Sequence, residues 1–225
     1  VNAMKNHRYI PLTLIAGSLL LAACGTADEP KMTSRLPPVE IGEYEGEDLS
    51  SIEDFRENSI KGPQYVSLEE YTLTVDGLVD HPLELTYDDV LARDTYSKVV
   101  TLHCVEGWDA TILWEGVRID DLMQAAGVQD DAVIAIFHAA DGYTSSLPVA
   151  FLRDKQILLA YKMNGVTLPP ERGFPFQVVA EAKWGYKWVK WVTRIELSND
   201  PTYKGYWESW GYSNTGDISD PPLGP

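Results

Sequence analysis

Along the chain the hydrophobic period changes repeatedly between two and about three and a half. "EYTLTVDG" (70–77) alternates apolar and polar positions and ends in Asp-Gly, which predicts a strand and a turn. "TYDDVLA" offers Thr86 as an N-cap with Asp89 at the capping-box position, so a short helix should follow. "KVVTLHC" and "DATILWEG" read as strands, the first buried by its β-branched content. "RIDDLMQAAG" puts Ile119, Leu122, Met123 and Ala126 on one helical face, with Gly127 as the C-cap. "AVIAIFHA" is apolar on both faces, a central strand; "YTSSLP" is extended and "VAFLRD" a helical turn. "QILLAYKMNG" is a strand closed by Asn-Gly, a strong hairpin signal, and "FQVVA" and "VTRIELS" are further strands. From Asn199 the period is lost while Tyr and Trp stay frequent, which predicts an ordered arm on the surface. Many short strands with few short helices define a mixed, sheet-dominated α+β class. One domain is expected over residues 50–212, followed by a C-terminal tail over 213–225.

The N-terminal pattern is of another kind. "MKNHRYIPLTLIAGSLLLAAC" has a basic start (Lys5, Arg8), an apolar run from Leu12 and small residues before Cys24. This predicts a signal peptide over residues 1–23, too short and wrongly flanked to span a membrane. "LAAC" resembles the bacterial lipobox, which implies lipidation of Cys24. Residues 24–49 would then be an acidic tether, and the charged run from Glu40 to Glu57 a solvated lead-in. The expected location is the cell envelope, extracytoplasmic, held to the membrane through the lipid anchor alone. Net charge is −16 over 225 residues, so the surface repels nucleic acid and anionic headgroups, and nucleic-acid binding is excluded.

Charge and cysteine count narrow the chemistry. With Cys24 lipidated, Cys104 has no intramolecular disulfide partner. Three readings are open: an inert buried thiol, a nucleophile needing a base such as His138, or a single thiolate on a soft metal whose other sulfurs come from a cofactor. Zinc is disfavoured, because His81, His103, His138 and Cys104 lack structural-site spacing. A thiolate-bearing cofactor would be anionic, and this acidic chain gathers cations late, at Arg172, Lys183, Lys187 and Lys190.

Four pieces in order, "LHCVEGWDATILWEGVRIDDLM", "DGYTSSLP", "ILLAYKMNGVTLPPERGFPFQVV" and "GYKWVKWV", resemble the molybdopterin-binding oxidoreductase domain of the sulfite oxidase superfamily. The likeness runs from about Phe55 to Tyr212. In layout it is nearest the shorter bacterial members similar to the methionine-sulfoxide reductase catalytic subunit. The resemblance implies a sulfite-oxidase-type fold, a molybdenum–molybdopterin (Mo-MPT) cofactor and oxygen-atom transfer. It makes Cys104 the thiolate ligand of the metal and Tyr143 the active-site tyrosine. It gives Lys187 and Lys190 to the pterin phosphate, places Asn58 close to the metal and turns His103 toward the pterin. The chain departs from the family at Gln177, where an arginine is expected, and at Arg172, where a histidine is expected; Arg172 is then the displaced cation. Asp109 stands where sulfite oxidases carry a sulfite-binding arginine. The implied substrate is therefore an uncharged or cationic small molecule, or an oxidised side chain, rather than sulfite. The chain has no Cys-x-x-Cys-His haem motif, so electrons would come from a separate electron-transfer protein or a quinone-linked partner. The signal also lacks a twin-arginine pair. The alternative reading is a cofactor-free binding or accessory lipoprotein on the same fold.

Overall fold

The computed structural model describes residues 39–224. The expected signal peptide, Cys24 and the tether as far as residue 38 lie outside the described residues. In chain order the strands and helices are β1 (Glu43–Tyr44), β2 (Glu47–Asp48), β3 (Leu73–Gly77), β4 (Leu83–Leu85), α1 (Tyr87–Leu91), β5 (Tyr96–His103), β6 (Asp109–Arg118) and α2 (Ile119–Ala125). They continue with β7 (Ile134–Ala139), β8 (Thr144–Pro148), α3 (Val149–Asp154), β9 (Leu158–Met163), β10 (Val166–Thr167), β11 (Gln177–Val179) and β12 (Val192–Ser198).

Two five-stranded sheets carry the molecule. One runs β10-β9-β6-β5, with β11 also paired to β9, and all its pairings are antiparallel. The other runs β4-β3-β12-β7-β8 and is mixed, because β12 lies parallel to β3. A single apolar cluster draws on both, with Leu73, Val75, Phe137 and Ile195 from the mixed sheet and Ile112, Trp114 and Leu159 from the antiparallel one.

Local chemistry sets several elements as expected. Thr86 caps α1 and shares a reciprocal capping box with Asp89. Asn164 (φ +46°) and Gly165 (φ +78°) make the two-residue turn between β9 and β10. The C-cap of α2 is Ala126 rather than Gly127, which follows at φ +67° in the left-handed region.

The N-terminal end of the described chain differs from expectation. The acidic lead-in is ordered from Val39: β1 and β2 pair, and the fully buried Asn164 donates to the Glu40 carboxylate (2.8 Å). The same carboxylate accepts from the Ile52 N–H (2.6 Å), so one acidic residue is turned inward and fixes a segment whose composition reads as solvated. At the other end, the segment after residue 212 is ordered as far as residue 224, in keeping with the arm that the aromatic-rich pattern predicts. Tyr212 pairs with Leu223 and Lys183 with Asp217 in isolated antiparallel bridges. No helix among the described residues is long and apolar enough to cross a membrane.

Candidate active site

Strand β5 ends at His103, and the chain turns back into β6 within five residues. Cys104 N–H donates to the Trp108 carbonyl (2.9 Å) and Gly107 N–H to the Cys104 carbonyl (3.0 Å). Gly107 sits at φ +84°, a conformation that a side chain would strain. The turn leaves Cys104 buried at the foot of a cavity of about 300 Å³. The Asn58 amide, from the irregular segment before β3, points at the sulfur from 3.6 Å. Burial pushes the Cys104 thiol up, while Asn58 and Arg56 act in the opposite direction.

Aromatic rings make much of the wall. Phe55 and Trp108 meet at 5.7 Å between centroids, and Trp207 and Tyr212 at 5.4 Å. Tyr143 lines the cavity, and its phenol donates to the Tyr186 carbonyl. Burial raises Tyr143 well above its ordinary value, with Glu208 adding to the effect, so it stays a neutral phenol.

Arg172 and Lys190 also face the cavity, and both are engaged in holding the 52–58 segment. Arg172 donates to the carbonyls of Ile52 (3.1 Å) and Phe55 (2.6 Å), with its guanidinium over the Phe55 ring. Lys190 pairs with Glu57 at 2.7 Å. Burial lowers both cations from their usual values, and Glu57 partly offsets this for Lys190.

Two expected residues are placed elsewhere. Lys187 is fully buried in an ion pair with Glu208 (2.6 Å) and does not line the cavity, because a partner 21 residues further on takes its ammonium. His103 does not line it either; its ring faces Asp109 across the strand pair at 3.8 Å. Asp109 opens β6 with its side chain mostly exposed and away from the cavity, so it does not set the charge there. Glu106 does line the cavity, two residues after the cysteine, and receives the Trp108 indole N–H (3.4 Å). Sequence reasoning missed Glu106, Trp108, Arg56, Trp207 and Tyr212. The first two stand in the same short stretch as the cysteine, where the turn brings Cys104, Val105, Glu106 and Trp108 to one cavity.

Three cations (Arg56, Arg172, Lys190) and three carboxylates (Glu106, Asp141, Glu171) share the cavity lining. A soft thiol with an amide aimed at it lies in the lining, and the Ser59 hydroxyl beside it is buried with no partner among the described residues. An anionic pterin with a thiolate-accepting metal fits this donor set.

Comparison with known proteins agrees. The chain belongs to the oxidoreductase molybdopterin binding domain family, which matches residues 60–207. It is an oxidoreductase, and its cofactor is molybdenum–molybdopterin. It is 38% identical to the uncharacterized oxidoreductase YuiH of Bacillus subtilis, over 69% of this chain and 78% of that protein. It is 34% identical to a putative protein-methionine-sulfoxide reductase subunit, YedZ1, of Azospira oryzae, over 66% of this chain and 56% of the relative. The fold is similar to that of the sulfane dehydrogenase SoxCD of Paracoccus pantotrophus, with a TM-score of 0.59, 25% identity, and coverage of 62% of this chain and 41% of that one. The match thus spans most of the Bacillus protein but about half or less of the other two.

Proposed function

We propose that this protein is an extracytoplasmic, lipid-anchored oxidoreductase that moves an oxygen atom to or from a neutral or cationic small molecule or an oxidised side chain, and that Cys104 ligates its metal. The observation that carries the reading is the buried Cys104 sulfur at the foot of the cavity, with the Asn58 amide 3.6 Å away. When bound, the molybdenum–pterin group supplies a two-electron centre able to exchange one oxygen atom with a substrate.

The chain's own residues do the rest. Cys104 offers the thiolate, and Asn58 orients it with a donor that favours the charged sulfur. Arg56, Arg172 and Lys190 are the cations that face an anionic cofactor, and the Ser59 hydroxyl is a further donor. Aromatic walls exclude water and suit an apolar substrate body. Cations and carboxylates balance in the lining, so an anionic cofactor leaves the cavity with net negative charge, which opposes anions such as sulfite or nitrate. The YedZ1 name supports methionine sulfoxide as one substrate to try. A separate electron-transfer or quinone-linked partner would deliver the two electrons when the substrate loses oxygen, or accept them when it gains oxygen. Cys24 would carry the anchor, a reading supported by the N-terminal pattern alone.

The test is to purify the protein from a host that makes the cofactor and to measure molybdenum and pterin. Turnover is then compared on dimethyl sulfoxide, methionine sulfoxide and trimethylamine N-oxide against sulfite and nitrate. Turnover on the neutral set is expected; efficient turnover of sulfite or nitrate alone would sink the substrate reading.

A further inference from the structure

The family match ends at residue 207, yet the chain beyond it helps to build the cavity. Tyr212, together with Trp207, lines the wall. We propose that residues 205–224 form a strap that completes the cofactor cavity, and that Lys187 and Glu208 are positioning residues whose buried ion pair holds the strap in place. This rests on the cofactor occupying the cavity at Cys104 and on no reading of the substrate.

The strap grips one short turn, residues 184–187, through nearly every residue. Trp184 N–H donates to the Gly216 carbonyl (2.8 Å), and its indole to the Asp220 carbonyl (3.0 Å). The Tyr186 hydroxyl donates to the Ser213 carbonyl (2.8 Å). Lys187 donates to the Asn214 carbonyl (3.0 Å) as well as to Glu208, and Ser145 reaches the same Glu208 oxygen from β8. Contact is so close at Gly216 (φ +64°) that a Cβ there would stand 2.5 Å from Lys187 Cγ. The turn's other side lies against the cysteine: a Cβ on Gly185 would be 3.7 Å from Cys104 Cα. The turn is therefore held between the end of β5 and the strap. Tyr186, which accepts the Tyr143 phenol, also packs edge-on against Tyr212 at 5.1 Å.

Charge explains why an ion pair does this. Lys187 and Glu208 are both fully buried. A buried pair adds little net stability over an apolar pair, but loss of either member strands the other, so the arrangement enforces one register. The same geometry removes Lys187 from the phosphate role that its position in "GYKWVKW" suggests.

The experiment uses full-length protein made with its cofactor, as Lys187→Met, Glu208→Gln, the double Lys187→Met/Glu208→Leu, and Gly216→Val. Molybdenum and pterin content are read beside hydrogen exchange at the Trp184 amide. Each single variant should lose cofactor about tenfold and exchange faster at Trp184, and the double variant should regain both to within about twofold. Gly216→Val keeps both charges and should lose cofactor by displacing the strap. The double variant reports even where a single one does not fold. Two results overturn the proposal. One is full cofactor in Glu208→Gln with the double as poor as Lys187→Met, which would make Lys187 a direct cofactor ligand. The other is faster Trp184 exchange with cofactor unchanged, which would leave the strap outside the site.

Discussion

Cys104 and Glu106 lie two residues apart in one turn and face the same cavity, but their tests differ in kind. If the Cys104 thiolate binds the metal, Cys104→Ser should barely alter the melting temperature, because the side chains are close in size. It should remove thiolate-to-metal charge-transfer absorption and oxygen-transfer activity, since a hydroxyl is a harder and far less acidic donor. An unchanged visible spectrum with full activity would return Cys104 to a packing role. Glu106 acts at longer range and is exposed on the rim, where solvent screens its charge. Glu106→Gln should therefore lower KM for an anionic substrate only modestly, by roughly two- to threefold, and leave a neutral sulfoxide nearly unaffected. Asp109→Gln is the control: its side chain lies outside the cavity, and KM for both substrates should stay level.

Elements whose cause is local were the legible ones. The capping box on α1 needs only Thr86 and Asp89, and the β9–β10 turn only Asn164 and Gly165, so pattern and structure agree there. Thr86 holds the Asp89 carboxyl below the usual aspartate range through its hydroxyl and N–H. A depressed folded pKa adds stability that is present above the unfolded value and is lost as pH falls through the folded one. Thr86→Ala should therefore lower the melting temperature at neutral pH. Its gap from the wild type should narrow, but not vanish, as the solution is acidified through the Asp89 transition, because the Asp89 N–H bond to the Thr86 hydroxyl does not titrate; a constant gap across that range would mean that the cap contributes no charge effect. The 52–58 segment has no periodic signal at all, because it is held from outside by Arg172 and Lys190. Arg172→Ala should free two carbonyls and cost about 1–3 kcal/mol. It should also weaken the approach of Asn58 to Cys104, read as a shift in the visible spectrum of the loaded protein. An identical spectrum with lower stability would confine Arg172 to packing.

Long-range partners were the part the pattern could not carry. Lys187 and Lys190 are three residues apart and alike in sequence; one is paired with Glu208 behind the wall and the other with Glu57 at it. The resemblance singled out Cys104, Asn58, Tyr143, Arg172 and Lys190, and all five line one cavity. It could not show that both ends of the described chain are tied to this framework by buried polar groups. At the N-terminal end the tie is Asn164. Its Oδ1 accepts the Leu113 N–H (3.0 Å), and its Nδ2 donates to Glu40 and to the Ser50 carbonyl (2.9 Å). Glu40 in turn holds Ser51 and Ile52, where the cavity segment begins. Two substitutions separate the side-chain bonds from the backbone shape. Asn164→Gly keeps the left-handed turn (φ +46°) but strands the Leu113 N–H, at a cost of about 1–3 kcal/mol. Asn164→Ala adds the strain of a Cβ in that conformation, about 1–2 kcal/mol more. Urea unfolding should thus rank wild type above Gly and Gly above Ala. In both variants the Ile52 amide should exchange its hydrogen faster, since Glu40 loses its fixed partner. If Asn164→Gly matches the wild type in both measurements, the N-terminal segment is held by its backbone pairing alone and Glu40 is not the clasp.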